Sequence, residues 1–85
     1  MKLNLTSKIF FGAVGSWLVG RPTNIKVRGT PEEVKAVNDV MLASRAFHDE
    51  LRRPGATVET VMQKLGLKRV AAREFEMKLG MPWPL

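Results

Sequence analysis

The stretch TVETVMQKLGLKRVAAREFEMKLG, residues 57–80, decides what kind of small protein this is. Two apolar-periodic runs each end on a glycine. Val58, Val61, Met62 and Leu65 precede Gly66, and Val70, Ala71, Phe75 and Leu79 precede Gly80. A glycine just past such a run is a stop signal, because it adopts the left-handed cap conformation without steric cost. The helix over the first run should start at Thr57, and Pro82 lies beyond Gly80. The spacing predicts two short helices, about 57–65 and 68–79, with Gly66 in the turn between them.

Upstream, Thr30-Pro31-Glu32-Glu33 reads as an N-cap, a proline at the first helical position and a glutamate that can reach back to the cap. Val34, Val37, Met41, Ser44, His48 and Leu51 continue at 3–4 spacing, widened by Val40 and Phe47. Arg52-Arg53 suit a helix C-terminus, and Pro54-Gly55 stops it. A helix over about 31–53 is expected.

The N-terminal third is read differently. Residues 24–28 alternate Ile25 and Val27 with Lys26 and Arg28, as a short half-buried strand does, and residues 2–5 alternate similarly. Between them Ile9–Val19 is almost wholly apolar. Thr6 can cap a helix there and Leu5 can staple onto Phe10, so a buried helix over about 7–19 is favoured. Gly12 and Gly15 keep a β-hairpin open as the alternative. The fold class expected is one α+β domain over residues 1–85, mostly helical. Strands near 2–5 and 24–28 would pair in parallel through the first helix as a crossover, beside three or four helices.

Composition narrows the function. With 85 residues there is room for one core. The absence of cysteine excludes disulfides, iron–sulfur clusters and thiolate zinc sites. The net charge of +6 is uneven: residues 1–30 carry five bases and no acid, residues 31–53 net −1, and residues 54–85 net +2. Such a surface draws polyanions or acidic proteins. At about 1.5 Å per residue, the apolar run 9–19 reaches about half of a ~30 Å hydrocarbon core, too short to span it. Residues 1–19 also resemble a signal peptide's basic and apolar regions, but Gly20-Arg21-Pro22 gives no small-residue cleavage site.

Catalytic material is sparse. His48 is the single histidine, and there is no tyrosine. Helical spacing sets Ser44 and Arg52 beside it, and nothing supplies the third group that orients a general base. A seam position satisfied by Ser44 or backbone is the plainer reading. Glu32 and Glu33 are explained by the cap. No metal, no cofactor and no enzymatic activity are expected.

Residues 57–79 resemble a generic helix-turn-helix motif, with Val61, Leu65, Leu67, Ala72 and Phe75 in the apolar slots and Gly66 in the turn. The resemblance implies a basic second helix presenting Lys68, Arg69 and Arg73 to nucleic acid, with Lys26 and Arg28 as a second phosphate-contacting patch. Two residues depart from it: Met62 stands where a small side chain is usual, and Val70 where an exposed polar one is. Glu74 and Glu76 also oppose a phosphate-facing surface.

At the carboxyl end, prolines flank Trp83 in Met81-Pro82-Trp83-Pro84-Leu85, which suits an aromatic anchor for a partner, with Leu85 beside it, or a lid on the chain's own core. Three functional expectations follow. The first is a small basic module binding DNA or RNA, or acting in regulation. The second is a structural or adaptor protein of a larger assembly, such as a minor virion component, docking through 9–19 and Trp83. The third is attachment to a membrane surface through 8–20; a membrane partner is not favoured. The expected location is intracellular, or inside a virus particle for an assembly component.

Overall fold

The structure, a computed structural model, describes residues 7–21 and 29–85. They form three helices in chain order: α1 (Ser7–Leu18), α2 (Pro31–Arg52) and α3 (Val58–Leu79). Among the described residues there is no strand, so the expected α+β class is corrected to an all-helical one. The segments expected as strands, 2–5 and 24–28, lie outside the described residues, as do Leu5 and Thr6. Alternation over so few residues is a weak signal beside long helical periodicities.

The second correction concerns α3, which runs unbroken through Gly66. The backbone there does not enter the left-handed region; positive φ among the described glycines occurs only at Gly20 and Gly80. A glycine inside a helix costs about 1 kcal/mol relative to alanine, whereas a break would strand several backbone N–H and C=O groups. Leu65, Leu67 and Lys68 are good helix formers, and no proline lies between Gly66 and Gly80. Gly80 does stop the helix: at φ 70° its amide donates to the Glu76 carbonyl at 2.8 Å, and Pro82 lies two residues on.

The start of α2 has the capping chemistry expected of it. Thr30 Oγ1 accepts from the Glu33 amide at 3.2 Å, while the Thr30 amide donates to Glu33 Oε1 at 3.0 Å. Thr57 and Thr60 make the equivalent reciprocal pair at the start of α3, at 3.2 and 2.9 Å. α1 is a helix and not a hairpin. It ends in a Schellman motif: the Gly20 amide, at φ 88°, donates to the Trp17 carbonyl at 3.0 Å, and the Arg21 amide to Ser16 at 3.1 Å.

α2 and α3 form an antiparallel hairpin across the short turn at Pro54-Gly55, and α1 lies on α2. The buried apolar cluster joins Val14 and Leu18 of α1, Val37, Val40 and Met41 of α2, Phe75 of α3, and Trp83. Beyond Gly80 the chain turns back over this cluster. Trp83, 9% exposed, donates its indole N–H to the buried Ser44 hydroxyl at 3.0 Å. Phe11 and Phe75 meet the indole edge-to-face, with centroids 5.7 and 5.0 Å away. One side chain thus ties all three helices together. At the other end of α2, Arg52 donates to the Leu18 carbonyl at 3.3 Å and holds the end of α1. No described helix is long and apolar enough to cross a membrane.

Candidate interaction surface

Most described bases are occupied. Lys35 pairs with Asp39 at 2.9 Å, Arg52 with Asp49 at 2.8 Å, and Lys78 with Glu32 at 3.8 Å. Arg45 lies over the Trp17 ring, 4.7 Å from its centroid. Arg53 grips Glu50 with Nε at 3.0 Å and Nη2 at 2.8 Å. Those bonds, with a hydrogen bond from Thr60, lower the Glu50 carboxyl to about 2. Glu50 is buried where α2 turns into α3, so this cluster clasps the hairpin.

The three bases assigned to a nucleic-acid-reading helix do not share a face. Lys68 precedes Phe75 by seven residues and lies on the same side of α3, half-buried, with Nζ 5.0 Å from the Phe47 centroid. Burial lowers its pKa. Arg69 and Arg73 sit one turn apart on the solvent side, and neither makes an ion pair or hydrogen bond with a described residue. With no turn at Gly66 there is no separate second helix to lie in a groove, and the helix-turn-helix resemblance is not carried by the backbone. Lys26 and Arg28 lie outside the described residues.

His48 is a seam residue. Its pKa is lowered by burial first, then by the charges of Lys68 and Arg52, against the opposing effects of Asp49 and a backbone hydrogen bond with Leu85. Its ring meets Phe47 edge-to-face at 5.7 Å. Among the described residues no group of three His, Asp or Glu side chains is placed to hold a metal ion.

The structure places both docking residues expected at the carboxyl end, Trp83 and Leu85, against the chain's own core. Trp83 is committed to the chain's own core, and Leu85 packs half-buried against the same cluster. The apolar run of α1 is likewise spent on packing, through Val14 and Leu18. A 9.5 kDa chain has few large side chains with which to fill a three-helix core, which is why these are drawn inward.

What remains open is the outer face of α3. Met62, Val70 and Met77 are 54%, 64% and 72% exposed. At about 100° per residue, Met62, Gly66, Val70, Arg73 and Met77 fall on one stripe roughly opposite Phe75. Arg69 flanks one edge of it and Gln63 and Glu74 the other. Sequence periodicity assigned Met62 and Val70 to the core. Their signal as surface residues was the departure from the helix-turn-helix pattern at those two positions. No protein-family model matches the chain, and no curated protein or solved structure matches it either.

Proposed function

We propose that this chain is a small non-catalytic helical interaction module, a structural or adaptor piece of a larger assembly, that docks through the outer face of α3. The observation that carries this reading is the line of exposed apolar side chains Met62, Val70 and Met77 on a helix whose other side already fills the core. Isolated surface apolar residues are ordinary, but several aligned on one helix face are the pattern of helix-mediated docking. Arg73 within the stripe and Arg69 at its edge are of the residue type enriched in protein interfaces. A net charge of +6 steers the chain toward acidic partners.

A second reading, nucleic acid contacted through Arg69 and Arg73 with Lys26 and Arg28, draws on the same charge and on the absence of acids from residues 1–30. One experiment separates the two. A photo-crosslinking amino acid is placed at Val70, and as a control at Leu42, which is equally exposed on α2. Docking predicts protein adducts from position 70 that are suppressed by Met62→Glu and absent from position 42. Nuclease-sensitive adducts would move the chain to the nucleic-acid reading, and equal adducts from both positions would refute a specific face.

A further inference from the structure

The stripe on α3 has a symmetry of its own. Around Gly66, Met62 lies four residues before and Val70 four after; Glu59 lies seven before and Arg73 seven after. All five are exposed on the face away from the core. Neither Glu59 nor Arg73 makes an ion pair or hydrogen bond with a described residue. Gly66 itself is unexplained by the single chain: a Cβ built there meets nothing within 4 Å, the backbone is ordinary helix, and glycine at mid-helix is costly. A missing side chain at the centre of an apolar stripe is what the close approach of a second backbone requires.

We infer that α3 is a self-association seam, and that its occupant is α3 of a second copy of this chain, running antiparallel with the two-fold axis at Gly66. This rests on the reading of the α3 outer face as a docking surface and names its partner. In that arrangement Gly66 faces its own counterpart, so the helices approach closely at the crossing. Met62 of each copy meets Val70 of the other, and Glu59 of each meets Arg73 of the other. Self-complementarity of this kind is what an isologous two-fold interface demands. The charged residues stand about 10 Å along the axis from the crossing, where crossed helices diverge and long side chains are needed to span the gap. A parallel pairing is disfavoured, because it stacks Glu59 on Glu59 and Arg73 on Arg73.

The seam is short compared with a standard interface of about 800 Å² per partner, so the association is weak and is best read from ~10 µM to ~1 mM. Sedimentation equilibrium of the full chain should show a monomer–dimer equilibrium over that range. Glu59→Arg and Arg73→Glu alone should each weaken it about tenfold or more, since every cross-pair becomes like-charged. The double substitution should restore it, and an equimolar mixture of the two single variants should form a heterodimer. Gly66→Leu should abolish the dimer with the far-UV circular dichroism of the monomer unchanged. A chain monomeric at ~1 mM, or a dimer indifferent to these charge reversals, would overturn the inference. If the chain is monomeric while position 70 still crosslinks specifically to another protein, the docking face stands and only the self-pairing falls. If both fail, the proposed function falls with it.

Discussion

Trp83→Ala is expected to be the most destabilising single substitution in the tail. The change empties an aromatic-sized space between three helices and removes two edge-to-face contacts. It also leaves the buried Ser44 hydroxyl without its donor. Large-to-small substitution of a buried aromatic costs about 3–5 kcal/mol, and an orphaned buried polar group adds about 1 or more. A chain of this length has a total stability of about 4–13 kcal/mol. The loss is therefore a third of it or more, or about 15–50 °C in melting temperature. Trp83→Phe should cost less, about 1–3 kcal/mol, because a phenyl ring keeps part of the edge-to-face packing while the N–H and the second ring of the indole are lost. Ser44→Ala should cost a similar amount by stranding the indole N–H. The double variant Ser44→Ala/Trp83→Phe should cost less than the sum, since neither partner is then left unsatisfied. Urea titrations followed at 222 nm measure all four. A Trp83→Ala loss below about 1 kcal/mol would refute the placement of the tail in the core.

Two further predictions concern glycines and pH. Gly66→Ala should stabilise the fold by up to about 1 kcal/mol, whereas Gly80→Ala, at φ 70°, should destabilise it by about 1 kcal/mol; paired thermal melts read the opposite signs. For pH, His48 and Glu50 have folded values below their ordinary ones, so each contributes stability that is present at higher pH and lost on acidification. The His48 contribution is lost as pH falls from about 6.5 through its lower folded value. The Glu50 contribution is lost from about 4.5 down through about 2. His48→Gln should flatten the first window of a stability–pH curve and Glu50→Gln the second; an unchanged slope in either variant refutes that assignment.

Local chemistry was the legible part of this chain. Thr30, Pro31 and Glu33 announce the start of α2, and Gly80 with Pro82 the end of α3, because caps act through neighbouring residues alone. Gly66 was illegible for the opposite reason. Whether a glycine ends a helix depends on whether packing on both sides outweighs about 1 kcal/mol, and periodicity cannot weigh that. The assignment of Met62 and Val70 to the core failed similarly: α3 carries apolar residues nearly all round, so spacing alone does not say which side faces α2. The grouping of Lys68 with Arg69 and Arg73 rested on proximity in sequence, yet about 100° of helical rotation separates Lys68 from Arg69. The sequence leaves Trp83 open as either anchor or lid. Its destination is set by Ser44, 39 residues earlier, and no local pattern shows a contact at that separation.

The same long-range contact bears on the order of folding. The α2–α3 hairpin is built from contacts close in sequence and can form early and quickly. The seat between Phe11, Ser44 and Phe75 stays vacant until residue 83 arrives. On a chain synthesised from its amino terminus, α1 and α2 are complete while the indole that joins them is still to come. Full cooperativity is therefore acquired only after almost the whole described chain is made. Native-state hydrogen exchange should show α1 opening together with the tail, at lower free energy than the hairpin.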